Sequence, residues 1–350
     1  MPIRPNFLER TLFYTFNAGP APVLDIWSGI ALRVVVAAVR LGVFEALADG
    51  PLTPEALAQK IPANARGMQV LLSALAAIGY VREQNGEYTN TPMTTKWMLQ
   101  RSGNFGAGFD FWAVSLFELM DTLEETLRTG QPPLNLYEWI ESQPTTSRSF
   151  QEWMVAIANF AGDEILKHVP VPNGARRLLD IGGGHGRYAI AFCRRYPKLS
   201  ATVFDSPEAL KAAEASLTAT GMTGRVTLQM GNFLTDELGA GYDVALLFNI
   251  VHGFSEEQNQ MLVSKAVKSL NPGGLLVVIE QLAGQAPTPT ANATKELLSL
   301  SYFHLLNGHI WEYETVKGWL VTAGCVNVRR VDSPLLPGTS IILGTGPNTR

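Results

Sequence analysis

Short apolar runs alternate with helix-like stretches through the second half of the chain. A glycine, proline or acidic residue follows most of these runs, and then comes a segment with helical spacing. This order predicts repeated strand–helix units and a mostly parallel sheet. The last two runs have no helix between them, which predicts an antiparallel pair that closes the sheet. The predicted strands are residues 178–181, 201–205, 226–229, 243–249, 275–279, 326–331 and 340–344.

The first hundred residues have a different pattern. Residues 22–48 read as one long helix that is apolar on most faces, and an isolated domain has little use for such a helix. Burial against a second copy of the chain would account for it, so we predict a homodimer with this helix in the interface. Thr53 and Asn64 mark the starts of two further helices, and the pair Asn85-Gly86 marks a hairpin turn. Helix, helix and hairpin in this order are typical of a winged-helix fold.

A winged-helix fold raises a rival function, that of a DNA-binding regulator. The reading helix would be the second one, and apart from apolar residues it offers only Arg66 and Gln69. DNA binding needs several Lys and Arg contacts to phosphates, whereas residues 1–100 hold eight Lys and Arg against seven Asp and Glu. We therefore expect this region to be structural and to bind no nucleic acid.

Residues 91–168 again have a helical pattern with loop breaks, and they are rich in large apolar side chains. Most of these must form a core. An aromatic, apolar region of this kind indicates a flat or apolar small molecule as ligand. Three residues that share one helical face are candidates to line its pocket, namely Met154, Ile157 and Phe160.

Composition and charge narrow the choice of partners. Of the 350 residues, 46% are hydrophobic and 17% are charged, which is ordinary for a globular protein of about two domains. A net charge of −4 favours neither nucleic acid nor an anionic membrane. Arg33 and Arg40 interrupt the most membrane-like run, and the N-terminus has no signal-peptide pattern. The two cysteines, Cys193 and Cys325, lie far apart, so we expect a cytoplasmic protein without a metal site.

The strand at 178–181 runs into a glycine-dense turn, and residues 187–195 then read as a helix. Strand, glycine turn and helix together place a ligand at a helix N-terminus, where backbone N–H groups point outward. One motif within the turn, Gly184-x-Gly186-x-x-Ala189, fits a dinucleotide site and hence a nicotinamide oxidoreductase.

The other motif is an acid, an aliphatic residue and then G-x-G-x-G, which is the motif of S-adenosylmethionine (SAM) methyltransferases. This motif consists of Asp180, Gly182, Gly184 and Gly186. We favour it because only this motif explains Asp180, as a group that holds the methionine ammonium directly or through water. Asp205 follows about twenty residues later, where an acid accepts hydrogen bonds from ribose hydroxyls.

Over nearly its whole length the chain resembles the small-molecule O-methyltransferases of the caffeate and hydroxyindole type, including bacterial enzymes that tailor aromatic natural products. The likeness rests on the first two regions and on the motifs LLDIGGGHG, FDSP, GNF, VHGF, VVIEQ and TAGC. It implies an α/β fold, with a Rossmann-like seven-stranded class I methyltransferase domain and an N-terminal α-helical winged-helix dimerisation domain. We place these at 169–350 and 1–100, with a helical connector that contributes to the substrate pocket at 101–168.

The resemblance also implies roles for individual residues. His252 would be the general base that takes a proton from a substrate hydroxyl, a task that suits an imidazole at neutral pH, and Glu280 would orient it. Asp205 would hold the ribose, while Asn232 and Phe233 would meet the adenine. The predicted SAM-binding set is Asp180, Gly182, Gly184, Gly186, Asp205, Ser206, Asn232, Phe233 and Asn249.

Two departures from the family pattern stand close to the base. The family's His-Asp-Trp is His252-Gly253-Phe254 here, and the family's second acid beside the histidine falls near Ile310, with Glu312 two residues on. In the segment that roofs the substrate in that family, His304 and His309 are further pocket candidates. A two-histidine metal site lacks the usual ligand spacing.

The predicted activity is therefore SAM-dependent methyl transfer to a hydroxyl of a small, aromatic or apolar molecule. The altered residues after His252 keep a second possibility open within the same fold, C-methylation or a SAM-binding protein that transfers no methyl group. A NAD-dependent oxidoreductase and a winged-helix regulator remain as distant alternatives.

Overall fold

The structure is a computed structural model, and it describes residues 5–284 and 288–348. The chain divides into two compact units, Met1–Glu118 with Arg148–Ala156 and Leu119–Ser147 with Ile157–Arg350. These units divide the chain at other places than the three predicted segments, whose boundaries stay a prediction.

The described part of the first unit consists of helices, one hairpin and a π-helical turn at Thr11–Thr15. Its elements are α1 (Phe7–Arg10), α2 (Val23–Arg40), α3 (Val43–Ala46), α4 (Pro54–Lys60), α5 (Ala65–Ala77), β1 (Val81–Gln84), β2 (Glu87–Asn90), α6 (Pro92–Trp97) and α7 (Gly106–Val114).

Local sequence accounts for the starts and turns of this unit. Thr53 and Asn64 each accept a hydrogen bond from the backbone N–H three residues on, at 3.2 and 3.0 Å, so both predicted N-caps are confirmed. Asn85 and Gly86 have φ angles of 55° and 81°, which is the left-handed backbone that a two-residue hairpin turn requires. The order α4, α5, β1, β2 is the predicted helix, helix and hairpin.

The prediction of one unbroken helix over residues 22–48 is wrong. Helix α2 ends at Arg40, Gly42 takes a φ of 72°, and α3 begins at Val43. The left-handed residue ends the first helix because it turns the backbone out of the helical direction. The residues on either side of this break, such as Val36 and Phe44, are buried in the core of the unit.

The second unit contains the larger sheet. Its helices are α8 (Leu123–Thr129), α9 (Leu136–Glu141), α10 (Pro144–His168, which contributes to both units), α11 (Arg187–Arg195), α12 (Pro207–Thr220), α13 (Glu256–Ser269), α14 (Pro289–Leu306) and α15 (Tyr313–Thr322). Its strands are β3 (Arg177–Ile181), β4 (Ser200–Asp205), β5 (Val226–Met230), β6 (Tyr242–Phe248), β7 (Leu270–Gln281), β8 (Val326–Asp332) and β9 (Thr339–Thr345). Shorter 3₁₀ turns lie at Met120–Thr122 and Val251–Gly253, and a π-helical turn at Ser115–Leu119 spans the boundary between the two units in the sequence.

The seven strands lie in the order β5-β4-β3-β6-β7-β9-β8. The five strands from β3 to β7 are mutually parallel, and β9 pairs antiparallel with both β7 and β8. This confirms the predicted sheet and its antiparallel closing pair. The strand order reverses between β3 and β6, and in open α/β sheets ligands bind at the carboxyl edge beside such a switch point.

Apolar side chains cover both faces of this sheet. On one face the strands pack against α10, α11 and α12, with Phe192 and Leu210 buried among them. On the other face they pack against α13 and α15, with Leu262 and Trp319 in the core. Because both faces are covered, polar side chains of the central strands gather at the strand ends, and the carboxyl edge is the place to look for chemistry.

Candidate active site

The glycine turn joins β3 to α11 at the carboxyl edge of the sheet. Gly182, Gly184 and Gly186 all have positive φ angles, of 68°, 46° and 67°. A side chain on Gly182 would also overlap the Ile250 side chain and would come within 3.5 Å of the Phe233 ring. The three glycines of the predicted pattern therefore have the left-handed backbone that favours glycine, and the turn packs closely against the loops that follow β5 and β6.

Asp180 lies beneath this turn, at the end of β3. Its side chain is 1% exposed, and its Oδ2 atom has no hydrogen-bond partner among the described residues. Burial raises the pKa of Asp180 to about 7, the backbone N–H of Ala189 lowers it, and the nearby Asp205 raises it. An unpartnered buried carboxylate oxygen costs free energy, so Asp180 Oδ2 is an acceptor that a cationic group or a water molecule could satisfy.

Asp205 ends the neighbouring strand β4. One of its carboxylate oxygens accepts a hydrogen bond from the Gly184 N–H at 2.8 Å, and the other accepts one from the Ser206 N–H at 2.7 Å. Burial raises the pKa of Asp205, although both of these hydrogen bonds act in the opposite direction. A carboxylate oxygen can accept more than one hydrogen bond, so Asp205 can still accept two from a ligand. The Ser206 hydroxyl caps α12 by accepting from the N–H of Ala209 at 3.3 Å.

The remaining predicted cofactor residues lie on the loops after β5 and β6. Phe233 faces the glycine turn and meets the Phe254 ring edge to face, at 5.5 Å between centroids. Asn232 is exposed, and its side-chain oxygen accepts a hydrogen bond from the N–H of Leu234 at 2.9 Å. Asn249 has a φ of 54°, so its backbone turns sharply just after β6.

His252 and Glu280 form a buried pair at the ends of β6 and β7. The distance between His252 Nδ1 and Glu280 Oε1 is 2.9 Å, and the exposed fractions of the two residues are 5% and 0%. A carboxylate only accepts hydrogen bonds, so in the neutral imidazole Nδ1 carries the proton and Nε2 has the lone pair. No residue in 5–284 or 288–348 hydrogen-bonds Nε2.

The short turn that carries His252 is held in place by hydrogen bonds to its main-chain carbonyls. The Val251 carbonyl accepts hydrogen bonds from Trp311 Nε1 at 2.9 Å and from Asn259 Nδ2 at 2.8 Å. The His252 carbonyl accepts one from the His309 backbone N–H at 2.8 Å. A side chain at Gly308 would overlap this carbonyl, so only glycine permits the approach.

Two tyrosines lie beside the pair of His252 and Glu280. The Tyr302 ring stacks on the imidazole, with 4.0 Å between centroids and 5° between planes. Tyr137 lies next to Gly253, where added side-chain atoms would come within 3.9 Å of its ring. Desolvation raises the pKa of Tyr137, and the carboxylates of Glu280 and Asp205 raise it further. Its hydroxyl therefore keeps its proton near both predicted acids.

The structure gives the other two predicted pocket histidines different surroundings. His304 is 1% exposed, and its Nδ1 and Nε2 atoms each lie 2.8 Å from an oxygen, those of the Thr126 hydroxyl and the Leu119 carbonyl. The protein itself thus uses both ring nitrogens of His304, which favours a supporting role. His309 is exposed and packs edge to face on Trp311, at 4.7 Å.

The predicted pocket face of α10 is divided. Met154 belongs to the first unit, whereas Ile157 and Phe160 belong to the second, where Phe160 is 50% exposed. The role of these three residues in a pocket stays a prediction. Ile310 is buried, and Glu312 is exposed just before α15. Within the described ranges, Glu280 is the carboxylate that hydrogen-bonds His252.

Three residues around His252 were not among those predicted for the site, namely Tyr302, Tyr137 and Gly308. For Tyr302 a usable signal exists, because residues two apart on a helix lie about 200° apart around its axis. A helix that turns His304 toward the core must turn Tyr302 the other way. For Tyr137 no local pattern points to the site.

Two family models match the chain. A dimerisation domain of O-methyltransferases matches residues 26–101, and the O-methyltransferase domain itself matches residues 122–324, more than half of the chain. The chain belongs to the O-methyltransferase family. It is a SAM-dependent enzyme that methylates a small molecule, and it carries the family's dimerisation domain.

Relatives of this O-methyltransferase act on several kinds of acceptor. It is 28% identical over 322 residues to the 3-hydroxy-5-methyl-1-naphthoate 3-O-methyltransferase of Streptomyces sahachiroi, covering 89% of this chain and 91% of that one. It is 23% identical to an L-tyrosine C(3)-methyltransferase of Streptomyces lavendulae, with 91% of each chain covered. Human N-acetylserotonin methyltransferase, solved in complex with SAM, has the same fold, with a TM-score of 0.81 at 22% identity over 99% of this chain and 100% of that one.

The residues at the carboxyl edge fit SAM. The unpartnered oxygen of Asp180 suits the methionine ammonium, and the free acceptor capacity of Asp205 suits the ribose hydroxyls. In the structure's described ranges no helix is long and apolar enough to cross a membrane, and no group of three or more His, Cys, Asp or Glu there is arranged to hold a metal.

Proposed function

We propose that this O-methyltransferase moves the methyl group of SAM to a hydroxyl of an aromatic or apolar small molecule, with His252 as general base. The observation that carries the proposal is the buried pair of His252 and Glu280. The carboxylate holds the proton on Nδ1 and leaves the Nε2 lone pair without a protein partner in the described ranges.

The chain's part in the reaction is to align and to accept a proton. SAM, when bound, supplies a methyl group on an electrophilic sulfonium. His252 Nε2 takes the proton of the acceptor hydroxyl as that oxygen becomes nucleophilic, and Glu280 stabilises the imidazolium that results. Alignment of acceptor oxygen and methyl carbon supplies the rest of the rate enhancement. The cofactor contacts of Asp180, Gly182, Gly184, Gly186, Asp205, Ser206, Asn232, Phe233 and Asn249 belong to the same proposal.

A methylation assay with labelled methyl donor tests the proposal directly. The relatives suggest the panel of acceptors, which contains a hydroxynaphthoate, N-acetylserotonin and L-tyrosine, and mass spectrometry locates the methyl group. His252→Ala should lower kcat by roughly 10²–10⁴-fold and should bind S-adenosylhomocysteine as the wild type does. Methylation by His252→Ala at the wild-type rate would refute the assignment of the base.

The C-methyltransferase relative supports a second candidate function, methylation of an aromatic carbon. A general base beside the acceptor suits this reaction too, because ionising a phenol makes its ring more nucleophilic. The same assay separates the two, since an O-methyl ether and a C-methyl group give different fragments.

We further propose that the enzyme is a homodimer formed through its N-terminal region. Several large apolar side chains there are about half exposed or more, which is unusual for a monomer surface. Among them are Phe7 at 86%, Ile26 at 65%, Trp27 at 51% and Ile30 at 49%. Light scattering should give about twice the chain mass of 38.1 kDa. A Trp27→Glu variant should shift the equilibrium toward the monomer, and a wild-type mass of one chain at micromolar concentration would contradict the proposal.

A further inference from the structure

We propose that Tyr302 is a positioning residue for His252, which holds the plane of the imidazole and stabilises its protonated form. This inference rests on the proposed role of His252 as the base. The ring contact is close, with 4.0 Å between centroids and 5° between planes. Both residues lie in the second unit, and both are shielded from solvent, with His252 5% exposed and Tyr302 partly buried.

The stack supplies a restraint that the carboxylate does not. The imidazole is attached to the backbone through Cβ, and its Nδ1 is hydrogen-bonded to Glu280 at 2.9 Å. Both attachments hold the same side of the imidazole. The other side, which carries Nε2, can therefore still move above or below the plane that the ring occupies in the structure. The Tyr302 ring covers one face and blocks the tilt toward that side. Nε2 is the atom that must face the acceptor hydroxyl, so this restraint acts where geometry decides the rate.

Tyr302 is itself held by a chain of hydrogen bonds. Its hydroxyl donates to Gln281 Oε1 at 2.9 Å, and Gln281 Nε2 donates to Asn249 Oδ1 at 3.4 Å. Burial raises the pKa of Tyr302 well above its ordinary value, and the charge of Glu280 acts in the same direction. The phenol therefore remains a donor across the working pH range. The orientation of the Tyr302 ring is therefore fixed by Gln281 at the end of β7 and by Asn249 in the turn after β6.

The stack also has a chemical consequence. When Nε2 takes up a proton, the imidazole becomes a cation against the electron-rich face of a tyrosine, a contact that stabilises positive charge. Glu280 is the carboxylate hydrogen-bonded to the ring in the described ranges, and buried Ile310 stands where the family resemblance places a second acid. The tyrosine face thus provides a second source of stabilisation for the imidazolium.

Three variants separate the ring from its hydroxyl. Tyr302→Leu removes the aromatic face and should lower kcat about 10-fold or more at saturating substrates. Tyr302→Phe keeps the face and loses only the bond to Gln281, so it should retain kcat within about threefold. Tyr196→Leu, the same change in a partly buried tyrosine at the opposite edge of the sheet, is the matched control and should leave kcat unchanged. The affinity for S-adenosylhomocysteine, measured by calorimetry, should stay within about threefold in all three.

A double-mutant cycle distinguishes failure of this inference from failure of the proposed base. In a His252→Ala background, Tyr302→Leu should cost no further activity, because Tyr302 acts through the imidazole. The role of Tyr302 would be overturned if Tyr302→Leu lowered kcat by the same factor in both backgrounds, or if Tyr302→Leu alone had the kcat of the wild type. In either case His252→Ala would still be impaired, so the proposed base would stand. If His252→Ala is itself fully active, the proposed base falls, and this inference falls with it. If Tyr302→Leu does not fold, Tyr302→Phe provides the test. A fall in kcat of Tyr302→Phe as large as that of His252→Ala would overturn the role of the ring.

Discussion

The donor side and the acceptor side of the site are built by different means. The donor side is built around Asp180, the glycine turn and Asp205, which come from one continuous stretch shaped mainly by backbone conformation. The acceptor side, which comprises His252, Glu280 and Tyr302, comes from three elements and is shaped by side chains that contact each other. One side depends on main-chain geometry, and the other depends on tertiary packing.

This difference predicts different consequences of substitution. Donor-side residues hold a cofactor in the ground state, so their loss should appear mainly as weaker binding. Acceptor-side residues act when charge develops on the imidazole, so their loss should appear mainly in kcat. Glu280→Gln and Asp205→Asn test this separation, in order of decreasing expected loss of function, and Asp180 adds a prediction on stability.

Glu280→Gln should give the largest effect. The amide keeps the shape of the side chain but removes the negative charge that stabilises the imidazolium and fixes its tautomer, so kcat should fall about 10²-fold or more. Affinity for S-adenosylhomocysteine should not change. Glu312→Gln, a matched change at an exposed position, should behave as the wild type in both measurements. A Glu280 variant that loses affinity as strongly as kcat would remove the distinction between the two sides.

Asp205→Asn should give a smaller effect of the opposite kind. Both carboxylate oxygens already accept backbone N–H groups, and an asparagine offers one acceptor atom in place of two. Loss of hydrogen bonds to a charged group should weaken S-adenosylhomocysteine binding by roughly 10- to 100-fold. In saturating SAM, kcat should stay within about threefold of wild type. The exposed Asp163→Asn is the control, and a large loss of kcat with intact affinity would contradict the prediction.

Asp180 should make the stability of the cofactor-free enzyme depend on pH. Burial raises its pKa from 3.8 to about 7, so the folded protein binds a proton that the unfolded chain releases between these values. The free energy of unfolding therefore falls as the pH rises through this window, by up to about 4 kcal/mol from this group. Unfolding curves at pH 5 and pH 8 should show a smaller difference for Asp180→Asn than for wild type. Equal differences in the two proteins would refute the assignment.

The same division separates what the sequence could predict from what it could not. Gly182, Gly184 and Gly186 could be recognised because a positive φ selects glycine directly, and their partner Asp180 precedes them by two residues. The positions of the strands along the chain followed from the alternation of apolar runs with helix-like stretches. In contrast, the stack of Tyr302 on His252 joins residues fifty positions apart, and it depends on how far α14 is rotated.

Two further features escaped prediction for related reasons. The break between α2 and α3 depends on one left-handed residue, Gly42, inside an apolar stretch whose pattern favours a single helix. The full use of both His304 nitrogens depends on contacts with Thr126 and Leu119, which no local pattern connects to that histidine. Local conformation could be inferred from residue type, whereas distant side-chain pairing required the assembled structure.

The main-chain support behind His252 bears on how such an enzyme acquires new acceptors. Gly308 and the His309 N–H fix the turn from one side, while Trp311 and Asn259 hold the carbonyl before it. None of these contacts requires the small molecule, so the imidazole is in place before an acceptor arrives. Mutations that reshape the surrounding cavity can therefore alter the range of compounds accepted while the proton-accepting atom keeps its place, and directed evolution for a new acceptor should leave this support untouched.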